Sequence, residues 1–352
     1  MGSDLFEILQ KLKQSSSLVI YDSHMHPYDV MGIVNPNKNV SKIKPANYGK
    51  VSLAELLKLG KIVNLILEVI FRLSPVIVES SIKSMYATSG VSSVLEEMDY
   101  AGIDMGVLVP VEPWVSTKRI YENFQNKRFI VLGSVDVHNT PLEKLESNLN
   151  KLLDFKVKGL KLHPNLQGFY PQPKDNTPEV KEKLNIIYKF IQSNNLYALF
   201  HGGYTRFTKL DESSPGRQKS SSLRGSNYAL IENFCDTSGR SELFENYSFP
   251  VVIAHLGNYA LIKPNFKIFK IIINKFQNVY FDTAGVSPDL IRRGIEVSGS
   301  QRIIFGSDAQ YYNLFKSVDF CLDAISKARV NENKEDMILN IFGNNFRKLI
   351  DA

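Results

Sequence analysis

Apolar residues along this chain fall into two rhythms that alternate. Short apolar runs bounded by turn residues occur at 18–21, 105–111, 128–137, 157–163, 196–201, 250–255, 279–282 and 302–308, and they read as β-strands. Between them, apolar residues three and four apart predict helices at 91–101, 142–153, 179–193, 266–276, 288–297 and 315–328. Gly102 follows the first of these helices, where a residue tolerant of the left-handed conformation can end it. Leu5, Ile8, Leu9 and Leu12 have helical spacing too, which predicts an N-terminal helix within 1–17.

Eight strand-like runs alternating with helices imply parallel βαβ units, and eight such units close into a (β/α)8 TIM-type barrel. An open doubly wound sheet is the alternative, but no Gly-rich dinucleotide fingerprint follows any run. The expectation is therefore an α/β protein with one barrel domain over 1–352. Two connections exceed the usual few residues. The first, 27–90, reads as a helical insertion or cap. Its stretch 62–78 imitates a membrane span, yet Glu68, Arg72 and Pro75 interrupt the ~18 to 20 apolar residues that spanning needs. Ile62, Leu65, Ile66, Val69, Ile70 and Leu73 form a helical stripe instead, suited to a lid over the barrel mouth or to a homodimer contact. The second, 202–248, carries Arg206, Arg217 and Arg224. A guanidinium matches a substrate carboxylate, although a solvated loop is the simpler reading for any one of them.

The chain's six histidines, His24, His26, His138, His163, His201 and His255, each lie at or just past the end of a strand-like run. Residues two apart on an extended chain point to one side, so His24 and His26 form a chelating pair. A metal site needs three or four ligands, and His201, His255 and Asp308 close the fifth, sixth and eighth runs. A carboxylate closing so apolar a strand is expensive to bury unless it is paired or ligating. One strand-end His or Asp alone is most often structural; five in this order reverse that weighting. After His201, Gly202 and Gly203 are expected to let the backbone approach a ligand.

Composition narrows the partners. A hydrophobic fraction of 43% and a charged fraction of 22% are ordinary for a globular protein. The net charge of +6 is spread along the chain without a dense basic run, which argues against nucleic acid and for a small-molecule substrate, anionic rather than cationic. Cys235 and Cys321 give no disulfide framework, which favours a reducing, cytoplasmic setting. The first residues are too charged for a secretory signal.

The ordered set Asp22-x-His24-x-His26, Gly159-Leu160-Lys161-Leu162-His163-Pro164, His201-Gly202-Gly203, Ala254-His255-Leu256-Gly257 and Gly306-Ser307-Asp308 resembles the amidohydrolase superfamily. Within it, the similarity is to the amidohydrolase-related (amidohydrolase 2) branch, which mixes hydrolases with metal-dependent decarboxylases. The segments 95–104 and 341–349 resemble that branch as well, and the likeness spans about 21–350. It implies that His24, His26, His201 and Asp308 bind a divalent metal, zinc first with manganese or iron as alternatives, and one ion rather than two. His255 is then either a ligand of a second metal or a general acid/base. Lys161 is either carbamylated and bridging or a buried ammonium that is structural or faces substrate, with His163 on the same face nearer the rim.

The implied reaction is hydrolysis of an amide, ester or lactone by metal-activated water, with Asp308 taking the proton and His255 polarising the carbonyl. Decarboxylation of an aromatic or unsaturated acid is the alternative, and a barrel that only binds a ligand is a third reading. Asp136 and His138 are either supporting polar groups or a capped loop entry. Asp22 reads as a backbone anchor. Asp282 and Thr283 either hold a ligand histidine or start a turn.

Overall fold

Each strand-like run marks a strand: β1 (Tyr21–Met25), β2 (Met105–Leu108), β3 (Phe129–Val131), β4 (Gly159–Leu162), β5 (Tyr197–Phe200), β6 (Val251–Ile253), β7 (Val279–Asp282) and β8 (Ile303–Ile304). A computed structural model describes residues 2–15, 18–30, 83, 86, 90–205, 227–259, 261 and 263–351. The expected helix at 62–78 and the arginines Arg206, Arg217 and Arg224 lie outside the described residues. The helices are α1 (Gly2–Ser15), α2 (Val91–Ala101), α3 (Thr117–Asn123), α4 (Leu142–Leu153), α5 (Pro164–Gln167), α6 (Pro178–Ser193), α7 (Glu242–Asn246), α8 (Phe266–Lys275), α9 (Pro288–Ser298), α10 (Leu314–Lys327), α11 (Lys334–Leu339) and α12 (Asn345–Ile350). Among the described residues, no helix is long and apolar enough to cross a membrane. The chain forms two units, one of Met1–Leu108, Asn123–Phe129 and Thr283–Phe346, the other of Val109–Glu122, Ile130–Asp282 and Arg347–Ala352.

In the first unit, β1 starts where the sequence places its end. The pairing with β2 is parallel and runs Tyr21↔Met105, Asp22↔Gly106 and Met25↔Leu108. Before it, the Ile20 amide donates to the Asp104 carboxylate at 2.9 Å, so a side chain substitutes for a strand partner there. The strand itself carries polar site residues, which hides it from an apolar pattern. On its other side β1 meets the chain after β8: Ser23 N–H donates to Phe305 O at 3.0 Å and Asp308 N–H to His24 O at 2.9 Å. Helix α10 packs against α1, α2, α9 and α11. It buries Leu314, Val318, Cys321, Leu322 and Ile325 at helical spacing, each Leu or Ile contributing roughly 1.5–3 kcal/mol. Gly102 ends α2 with φ +75°, as its position predicts.

In the second unit, β4, β5, β6 and β7 pair in sequence order, all parallel, through Leu160↔Ala198, Ala198↔Val251 and Val251↔Val279. Parallel strands covered on both faces need continuous apolar side chains, and Leu199, Phe200, Val251, Val252 and Ile253 are all buried. Helices α4 and α6 pack together. Thr177 caps α6 by accepting from the Val180 amide, with Pro178 at its first turn.

The glycines after His201 admit a close approach of neighbouring backbone. A Cβ on Gly202 would lie 2.4 Å from Ala254 O, and one on Gly203, at φ +107°, 2.2 Å from the Tyr259 amide nitrogen. Both obstacles are backbone and cannot turn aside. Gly203→Ala is expected to cost at least ~1–3 kcal/mol, read as a fall in Tm of several degrees in thermal unfolding; an unchanged Tm would contradict this packing.

Candidate metal centre

Strand β1 is extended through His24, so His24 and His26 present their rings to one side, and the turn after β8 brings Asp308 to them. The two Nε2 atoms are 3.1 Å apart. Asp308 Oδ1 lies 3.9 Å from Nε2 of His24 and 3.6 Å from that of His26. All three residues are buried, and one donor atom from each lies within 4.8 Å of the other two. Ligands at about 2.0–2.2 Å from a common ion stand roughly 3–4 Å from one another, according to the angle between them. Two imidazoles and a carboxylate therefore fit a divalent ion both in spacing and in donor chemistry.

Polar groups beneath the set fix its geometry. The fully buried Asp22 carboxylate accepts from the His24 amide at 3.1 Å, the Ser307 amide at 3.0 Å and the Ser307 hydroxyl at 2.5 Å. It thereby ties the backbone of one ligand segment to that of the other, which is the anchor role expected for it. Asp308 itself sits in the left-handed region at φ +62°. Gly285 makes room for its carboxylate: at φ +55°, a Cβ there would be 3.1 Å from Asp308 Oδ2 and 2.7 Å from the Tyr312 ring. Thr283, at the end of β7, bonds Gly306 through both the amide and carbonyl of that residue at 3.1 Å.

The second unit gathers the other expected residues. His255 Nε2 is 3.1 Å from His201 Nδ1, and His201 Nε2 is 3.1 Å from Thr205 Oγ1. His163 stacks on His201 with centroids 4.1 Å apart at 10°. His163 Nδ1 accepts from the Leu166 amide at 3.2 Å and so caps α5. His255 has a left-handed backbone, φ +59°, and its amide donates to Asp282 Oδ1 at 2.6 Å. Asp282 thus holds a histidine segment rather than opening a turn. Lys161 is buried on β4, 1% exposed. The structure therefore brings His24, His26 and Asp308 together in one unit and His163, His201 and His255 together in the other.

Asp136 and His138 form the capped loop entry. Asp136 Oδ1 accepts from the amides of His138 and Asn139, both at 3.1 Å, while the exposed His138 ring lies 2.9 Å from Gly168 O. Asp29, Tyr86 and Tyr311, which the sequence reading passed over, surround His26: the Tyr311 ring lies 5.6 Å from the His26 ring, and the Tyr86 hydroxyl donates to His26 O at 3.2 Å. No periodic pattern marks them, because each acts through a contact distant in sequence.

The amidohydrolase family model matches residues 83–350. No curated protein matches the chain. Among solved structures it is similar to an uncharacterized TIM-barrel protein from Bordetella bronchiseptica, at 15% identity and TM-score 0.53, over 75% of this chain and 83% of that one. It is similar to 5-carboxyvanillate decarboxylase from Sphingomonas paucimobilis, at 17% identity and TM-score 0.53, over 95% and 99%. A third is a probable 2-pyrone-4,6-dicarboxylic acid hydrolase from Acinetobacter baumannii with citric acid bound, at 14% identity and TM-score 0.52, over 95% and 99%. These likenesses show the fold, an α/β TIM-type barrel.

Glu112, just past β2, also escaped the sequence reading. Burial, and then the charge of Asp136, push its carboxyl up to about 7. An unfolded chain ionises this group near the ordinary value, whereas the folded protein holds the proton longer. The stabilising contribution is complete below about pH 4.5 and is lost as pH rises through about 7. Glu112→Gln should match the wild-type Tm at pH 4 and exceed it at pH 8; equal melting at both pH values would refute the shifted ionisation.

Proposed function

Because the chain belongs to the amidohydrolase family, we propose that it is a metal-dependent hydrolase of a small, anionic carbonyl substrate, an amide, ester or lactone. The observation that carries the reading is the buried convergence of His24 Nε2, His26 Nε2 and Asp308 Oδ1. These residues would hold the ion, zinc first, with manganese or iron as alternatives. When bound, such an ion polarises a carbonyl and lowers the pKa of water from 15.7 to about 7. Asp308 presents Oδ1 toward the two imidazole nitrogens; its carboxylate receives the proton of the attacking water and delivers it to the leaving group.

The family resemblance adds His201 to the ligands, gives His255 the task of steadying the developing oxyanion, and turns Lys161 and His163 toward substrate. The buried, unbridged thiols of Cys235 and Cys321 support a reducing compartment such as the cytoplasm. A metal-dependent decarboxylase of an aromatic or unsaturated acid is the second reading. It is favoured by the likeness to 5-carboxyvanillate decarboxylase over 95% of this chain.

Protein produced with zinc or manganese supplied is expected to retain one ion per chain. His24→Ala and Asp308→Asn should lose most of that ion, and activity should fall by at least about a hundredfold. His201→Ala, analysed for metal in the same way, tests the fourth ligand. Esters and lactones, screened beside carboxylic acids assayed for CO2 release, separate hydrolase from decarboxylase. Wild-type protein free of metal under these conditions would sink both readings.

A further inference from the structure

The groups behind His26 do more than fill space. Tyr311 lies three residues beyond Asp308, and its ring stands edge-on to His26, with centroids 5.6 Å apart at 65°. Its hydroxyl donates to Asp29 Oδ1 at 2.7 Å and accepts from the Val30 amide at 2.8 Å. Asp29 and Val30 belong to the chain that leaves His26. The Tyr86 ring meets Tyr311 at 5.3 Å and 76°. The His26 carbonyl accepts from the Tyr86 hydroxyl at 3.2 Å and from the Gln310 amide at 3.3 Å. Asp29, Tyr86 and Tyr311 are 4%, 4% and 9% exposed.

A role in packing alone would not call for this chemistry. Burying a carboxylate is costly unless donors meet it, and an apolar pair of the same shape would fill the space without that penalty. A phenol that donates on one side and accepts on the other has a fixed hydroxyl rotor and a fixed ring plane. That plane bounds the rotation of the His26 imidazole, while Asp29 and Val30 bind the loop of Asp308 to the segment of His26. We propose that Tyr311 and Asp29 are positioning residues for the metal ligand His26, forming a buried clasp that sets the angle at which its Nε2 meets the ion. The inference rests on the His24, His26 and Asp308 site proposed above. Neither Tyr311 nor Asp29 touches the reacting atoms in this scheme.

The test is zinc affinity of the apoprotein, measured by competition with a chromophoric chelator, for wild type, Tyr311→Phe, His26→Ala and the double variant. Tyr311→Phe keeps the ring and removes the hydroxyl. It should weaken zinc binding about 10–100-fold and shift the visible bands of the cobalt-substituted protein. In the His26→Ala background the same change should weaken binding no further, since the ligand it orients is gone. Circular dichroism checks folding, and if Tyr311→Phe fails to fold, Asp29→Asn carries the same titration and cobalt spectrum. Wild-type affinity and spectrum in the variants would overturn the proposal, as would an equal further loss in the His26→Ala background, the signature of a merely structural role. Failure of wild type to bind either ion overturns the underlying site, a result distinct from a wild type that binds normally beside unaffected variants.

Discussion

Two imidazole nitrogens 3.1 Å apart beside a carboxylate oxygen, all out of water, set the constraint on which the first unit is built. With both nitrogens deprotonated, their lone pairs and the carboxylate charge face one point. A cation there offsets the repulsion, while a proton shared between the imidazoles offsets only part of it. Holding such a set together in the folded chain needs a counterforce. Asp22 supplies one by gathering the amides of His24 and Ser307 and the Ser307 hydroxyl onto one carboxylate. The backbone bond from Asp308 to His24 adds a second tie between the same segments.

The chain wrote some of this plainly and some not at all. Strand and helix runs follow from apolar period, and all eight strands among the described residues lie at or against the runs that period marks. The largest displacement is β1, whose polar Asp22, Ser23 and His24 break the apolar pattern because that strand carries the site. His24 and His26 were legible through a spacing of two, and Asp308 through its place at the close of an apolar run. Tyr311 and Asp29 were not, since a bond across 282 positions between two loops leaves no local periodicity. The glycines after His201 mark a site of close approach, and the backbone neighbours met there come from elsewhere in the chain, so the sequence alone does not name them. Backbone at Ala254 and Tyr259 lies where a side chain on either glycine would stand.

Backbone strain gives an independent view of the same residues. Among the described non-glycine residues, five have positive φ: Lys156, Asn195, His255, Leu256 and Asp308. Lys156 and Asn195 follow helices α4 and α6, where a left-handed residue commonly ends the turn. Asp308 and His255 have no such excuse, for each closes or follows a strand that any extended residue could continue. The left-handed conformation costs an ordinary residue roughly 1–2 kcal/mol, so the surrounding structure must over-determine it. For Asp308 the amide is held by His24 O at 2.9 Å and the carbonyl by the Tyr312 amide at 3.2 Å. For His255 the amide is held by Asp282 at 2.6 Å.

Strain kept by bonds on buried polar side chains is a cost that packing alone would shed. An extended continuation would point each side chain to one face of the sheet; the left-handed turn re-aims it at the strand end. In the first unit that re-aiming puts Asp308 Oδ1 within 4 Å of two histidine nitrogens. In the second it sets His255 Nε2 against His201 Nδ1. Each unit thus retains strain where its histidines meet, at Asp308 in the first and at His255 with its neighbour Leu256 in the second, so selection for the placement of donor atoms accounts for these conformations better than selection for stability does.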